Sequence, residues 1–438
     1  MIPAITASKI YSTLGNNNSL VPMAIKDIAN SCGLTAGSYM TGDKLEGKDR
    51  FIDEFGTQSI WLFGIPAYKK LLDLTLYKAL KIDPEFDVRN LKDNRANLLE
   101  KSIEYADSSI KESMKTASKN TKFTKNLAMG KFIVSTALTI LTYWGLTKYR
   151  HNVTEKAAKK EILNEMQTKD NQKKDFSNTK PQWNLEGKKQ PAFTGSIQDF
   201  MYNPVKNLMI LDGAITTERL AHSRNPQELI GYTIKEGTFW AFMYFASKPI
   251  QKFLEKSVEN NKKKPASIDL DARVIESKEL EQAMKNGSLK QSVEKILKLD
   301  APEQLLDFIH NNPDDFTVKM SKMSDILPTL KKASQADDVD YRKFIDLDEF
   351  KGVAEKLSKL DNKFADYKNT DAADKSLEAF LKQVKKLKRG ATLKNIGACI
   401  GVLGVLAPAI MVAVRKFGKN NDAFQVKEDL KKKLQADA

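Results

Sequence analysis

The chain has 438 residues, 41% hydrophobic and 29% charged, which is enough apolar content for folded domains and too much for a disordered polymer. Its net charge is +15, but only ten of the 71 basic residues are Arg, and the Lys are interleaved with acids. That pattern argues against a nucleic-acid reader built on Arg forks and aromatic platforms, and two cysteines, Cys32 and Cys399, are too few for a disulfide framework.

The first twenty residues lack the basic n-region, apolar stretch and small-residue cleavage site of a secretory signal, so none is expected. Next, GDKLEGKD (42–49) fits the spacing G-x-x-x-x-G-K. Asp49 stands where a P-loop needs a hydroxyl for its metal, and no strand-like run precedes Gly42, so a turn before a helix is expected instead. TQSIWLFGIPAY (57–68) is apolar over about half a bilayer core. A short membrane-associated helix is expected over 57–78. ANLLEKSIEYADSSIKESM (96–114) places Leu99, Ile103, Ala106, Ile110 and Met114 on one helical face.

FIVSTALTILTYWGLT (132–147) is uncharged between Lys131 and Lys148 and would make about 24 Å of helix. Snorkelling lysines supply the missing length, and Tyr143 and Trp144 fall where an interfacial belt would place them. A spanning helix is expected over 131–148. Residues 166–200 read as a polar linker with Pro181 and Pro191. GTFWAFMYFAS (237–247) repeats the short apolar pattern, giving a second membrane-associated helix over 236–254.

From 265 to 385 the chain reads as a soluble insertion of short amphipathic helices. Asp300-Ala-Pro-Glu303 predicts an N-cap, with Pro in the first turn. Asp338, Asp340 and Glu349 echo a calcium loop, but Arg342 and Lys343 occupy positions that need an oxygen ligand and a glycine, so no calcium site is expected. Val353, Leu357, Leu360, Phe364 and Tyr367, then Leu377, Phe380, Leu381 and Val384, predict two helices that cover each other. Last comes NIGACIGVLGVLAPAIMVAV (395–414), uncharged from Lys394 to Arg415 and about 28 Å long as a helix from Ile396. Gly397, Gly401 and Gly404 form a flat face for close helix packing.

The order of segments recurs. Trp61 and Trp240 hold equivalent places in aromatic runs, and KNLAMGKFIVSTALTIL (125–141) echoes KNIGACIGVLGVLAPAI (394–410). The expected architecture is an all-α membrane protein with two apolar helix pairs, an internal duplication, and a soluble helical insertion. Its first helical unit is 1–165, its second is 201–264 with 386–438, and the insertion is 265–385.

No catalytic motif stands out, and His151, His222 and His310 lack metal-ligand spacing. No cofactor, metal, nucleic acid or small-molecule ligand is inferred. The expected role is non-enzymatic: a membrane scaffold, anchor or assembly protein, partnered by the bilayer and by itself through the 395–415 helix. The interface anchors would be Trp61, Trp144, Trp240, Lys131, Lys148 and Arg415. The alternative is a cytoplasmic soluble or peripheral adaptor.

Overall fold

A computed structural model describes residues 7–16, 19–41, 44–168, 197–223, 226–323, 339–417 and 431–432. The structure is about 84% helical and contains no strand among the described residues, as the period of the apolar pattern requires. Most of the polar linker, residues 169–196, lies outside the described residues. The helices used below are α1 (Ala7–Gly15), α2 (Leu20–Thr41), α3 (Lys44–Leu72), α4 (Thr121–Thr168), α5 (Pro204–Ala221), α6 (Pro226–Trp240), α7 (Ser247–Glu259), α8 (Leu347–Lys368), α9 (Leu377–Gly401) and α10 (Ala407–Phe417).

The chain divides into two compact units, neither of them a continuous half. The first comprises Met1–Met23, Lys70–Phe132 and Phe245–Ala398. Its centre is apolar. Phe350, Val353, Leu357 and Leu360 of α8 are buried with Phe380, Leu381 and Val384 of α9, and the Phe380 ring lies tilted 5.2 Å from Phe364 and 5.4 Å from Tyr367. Glu355, Asn362 and Asp366 face solvent from the other side of α8, the ordinary amphipathic arrangement. Two local expectations shift. The helix after Asp300 is capped at Ala301 rather than Asp300, with Pro302 at its first position, and the Gln304 side chain accepts from the Asp300 amide at 2.8 Å. The single face expected over 96–114 is split into helices Ala96–Tyr105 and Ser108–Lys119, because Ala106 adopts extended geometry between them.

The second unit comprises Ala24–Lys69, Ile133–Tyr244 and Cys399–Ala438. Within it α4 is inverted. Its buried face is Ser135, Thr136, Thr139, Tyr143, Thr147, Arg150 and Thr154, at the 3–4 spacing of one helix stripe. Its outward face carries Ile133, Val134, Leu141 and Trp144, each about half exposed. Most of the buried hydroxyls are answered: Thr139 donates to its own helix at Ser135 O, 2.8 Å, and Thr154 donates to Asp49, whereas Thr136 Oγ1 has no partner among the described residues.

The apolar run 395–414 is not one unbroken α-helix. Val402–Leu406 wind as a π-turn between α9 and α10. Pro408 explains it: it has no N–H for the carbonyl of Gly404 and its ring crowds that oxygen, so the backbone widens there. Ala241–Phe245 forms a second π-turn, ending at the residue four before Pro249. The outward face of the run is Gly397, Ala398, Gly401, Val405, Leu406, Ala409, Ile410 and Val414. On its inner side the backbones of α2 and the π-turn nearly touch: a Cβ on Gly33 would lie 2.2 Å from the Gly404 carbonyl oxygen. Only glycine allows that approach.

Candidate functional site

The centre of the second unit is ionic. It is built largely by one stripe of α3, in which Glu46, Asp49, Arg50, Asp53, Glu54, Thr57, Gln58 and Trp61 recur every three or four residues and are all buried. Phe51 and Phe63 point outward from the same helix. Every helix from α2 to α6 adds to the stripe.

Asp53 is the hub. Arg150 of α4 meets its Oδ2 at 3.1 Å and Arg219 of α5 meets its Oδ1 at 3.2 Å. Arg219 also reaches Glu236 Oε1 of α6 at 2.7 Å and donates to Thr57 Oγ1 at 3.0 Å. Lys235 pairs with Glu54 at 2.8 Å. Arg150 donates to the Tyr232 hydroxyl at 2.7 Å, and Thr154 donates to Asp49 at 2.6 Å. The side chains of Asp53, Glu54, Arg150, Arg219, Lys235 and Glu236 are all less than 10% exposed.

The fields inside this centre are uneven. Burial alone would raise the Asp53 carboxyl, but Arg150 and Arg219, with Lys235 and Arg50 behind them, hold it well below the usual carboxylate range. Asp212 on α5 is different. It accepts from Trp61 Nε1 at 3.1 Å and from the Tyr244 hydroxyl, and no described cation pairs with it within 4.0 Å. Burial pushes it up to about 8. Asp27 on α2 is raised to about 7 by burial, then by the Glu54 charge. Asp27, Asp212, Glu54, Arg219, Lys235, Asn30 and Gln58 are among the residues lining a cavity of about 20 Å³, room for about one water.

No family model matches this chain, and no curated protein or solved structure matches it. Among the described residues no group of three or more His, Cys, Asp or Glu could hold a metal ion. At the calcium-like loop the Asp340 carboxylate is taken by Arg342, at 2.8 Å.

The residues singled out from sequence are scattered. Gly404 lies against Ala29 of α2, whereas a Cβ on Gly397 or Gly401 would meet nothing within 4 Å. Trp61 is 2% exposed and bonded to Asp212, so its indole lies inside the unit and not on an outward surface. Trp240 is half-buried and donates to Thr216 Oγ1 at 3.0 Å. Trp144 is 48% exposed, and Lys148 is exposed close by on the same helix. Lys131 is tied to Asp73 and lies 4.7 Å from the Tyr77 ring. Arg415 falls in α10, but its side chain lies outside the described residues.

Sequence reasoning missed the ionic centre because charges at helical spacing ordinarily mark a solvated face. Two signals were available. Arg50, Arg150 and Arg219 are three of only ten Arg, and the acids of the α3 stripe oppose a face carrying Phe51, Phe55 and Phe63. A helix with aromatics opposite its charges has no face that suits water alone.

Proposed function

We propose that the chain is an integral membrane protein with a scaffolding or anchoring role, crossing the bilayer at residues 131–148 and 395–415. The outward apolar faces of these two segments carry the reading: Ile133, Val134, Leu141 and Trp144 on the first and Val405, Leu406, Ile410 and Val414 on the second are exposed, while the first turns hydroxyls inward and the second buries Leu403, Ala407 and Met411. Two described helices, over Thr121–Asn164 and Leu377–Val414, are long and apolar enough to cross, and only 28% and 33% of their apolar windows are buried. A core helix of a soluble bundle hides its apolar face; hydrocarbon tolerates that face outside and demands that polar groups be answered inside.

The ionic centre suits anchoring better than passage. Asp53, Glu54 and Glu236 are matched by cations from other helices, and the cavity has room for about one water. The centre fixes which helices pair, as buried ion pairs do in several systems. Trp144 and Lys148 occupy one end of the 131–148 segment, where an interface would sit. The open faces of Gly397 and Gly401 are where a second copy would approach.

Washing membranes with alkaline carbonate tests the reading. The protein is expected in the pellet, and full release into the supernatant overturns it. The second reading is a soluble adaptor whose outward apolar faces are covered by a partner. The apolar-cored helices of the first unit, with polar outer sides, favour it, and release by the wash would select it.

A further inference from the structure

The first unit contains a second, larger cavity that the bilayer reading does not use. Its volume is about 370 Å³, within the range of small-molecule pockets. Its walls come from α1 (Tyr11, Ser12), α7, the segment 269–272, Lys356 of α8 and Lys388 of α9. Three carboxylates and four lysines face it, and they are not equivalent.

The carboxylates are engaged. Asp269 pairs with Lys356 at 3.2 Å. Asp271 accepts from Ser12 Oγ at 2.7 Å and from the Arg273 amide at 2.8 Å, closing the start of a short helix. Glu255 accepts from Gln251 at 2.7 Å. Lys248, Lys252 and Lys388, by contrast, have no described carboxylate within 4.0 Å. Lys248 and Lys252 stand one turn apart on α7, a spacing at which like charges repel. Lys388 is 8% exposed, and among the described residues its ammonium has one hydrogen-bond partner, the Ile268 carbonyl at 2.8 Å. Burial lowers its pKa below the ordinary lysine value, so the protein alone does not balance that charge.

We propose that this cavity is an anion site for a phosphate-bearing ligand, held by Lys248, Lys252 and Lys388 beside the Ser12 hydroxyl. Three lysines lining one cavity suit a group that carries two charges and three acceptor oxygens. A single carboxylate would leave one or more of them unanswered. A small phosphate ester and a phospholipid headgroup present the same chemistry, and the volume admits either. The proposal stands whether or not the chain crosses a bilayer.

Calorimetry on the purified full chain in detergent tests it, with inorganic pyrophosphate, short-chain phosphatidic acid and short-chain phosphatidylcholine as probes. Saturable binding of pyrophosphate or phosphatidic acid is expected, without matching binding of phosphatidylcholine. Binding of pyrophosphate alone assigns a free phosphate ligand; phosphatidic acid preferred over pyrophosphate assigns a headgroup. Lys388→Met is expected to weaken binding about tenfold or more. The double variant Lys248→Ala/Lys252→Ala, exposed and outside the core, should do the same without disturbing the fold. Lys262→Ala, away from the cavity, should change nothing. No binding of either phosphate probe overturns the proposal, as does unchanged affinity in both the Lys388 and the Lys248/Lys252 variants.

Discussion

The two units solve opposite packing problems. The first buries Phe350, Leu357, Leu360, Phe380 and Val384 and leaves Glu355 and Asp366 outside. The second buries Asp53, Glu54, Arg150, Arg219 and Glu236 and leaves Ile133, Leu141, Val405 and Leu406 outside. In one, contacts gain strength by excluding water from apolar surface. In the other, charges answered at short range and close backbone approach are added to buried apolar side chains such as Leu208, Leu211, Ile215 and Leu403. Hydropathy averaged along the chain cannot separate these cases; which face points inward does.

The largest expected effects come from striking each centre. Arg219→Met leaves Asp53 and Glu236 short of a counter-charge and should cost about 3–5 kcal/mol. Leu357→Ala in the first unit should cost about 2–5 kcal/mol through lost burial and a cavity. Thermal unfolding of both variants in detergent checks them. If Arg219→Met is neutral, the ionic centre is not holding its helices and the contrast between the units fails. A smaller loss, about 1–3 kcal/mol, is expected for Gly33→Ala, whose new methyl would strike the Gly404 backbone.

A pH effect sharpens the same contrast. The native Asp212 carboxyl sits near 8, against 3.8 for the ordinary value. Between those values the unfolded chain has released this proton and the native chain still holds it. The native state therefore binds more protons there, and its stability falls as pH rises through that window, then levels above about 8. Asp212→Asn should flatten most of that slope, leaving the part due to Asp27, which sits near 7. Melting midpoints of wild type and variant across the window measure it; parallel curves would show that Asp212 does not titrate there.

Much of the helical content was legible from spacing alone. The runs near 140 and 405 announce themselves by their unbroken lack of charge, and the facing stripes of α8 and α9 by period, because one buried face fixes 3.6-residue repetition. Other features were not legible, for reasons that can be named. The π-turn at Val402–Leu406 follows from Pro408 but needs the helix to continue through it, which local preference does not dictate. The ionic centre gathers residues from Asp27 to Glu236, and only the fold says that the charged stripe of α3 faces those partners rather than water. The break at Ala106 interrupts an unbroken apolar period, and no glycine or proline marks it.

The smallest expected effect separates packing within the chain from packing between copies. Gly401 has ordinary helical angles, φ −60° and ψ −41°, and a Cβ there meets nothing. Gly401→Ala should therefore leave the fold intact and raise stability by about 0.5–1 kcal/mol, by removing the conformational freedom glycine has when unfolded. Gly401→Ile adds a branched group to the same open face. It should also spare the fold, yet weaken any pairing that depends on close approach at Gly397 and Gly401. A reporter of self-association in membranes reads the pairing, and thermal unfolding reads the fold. Pairing lost with an unchanged melt places a second copy on that face; pairing unchanged leaves the face to lipid, and the contrast between the units survives without an oligomer.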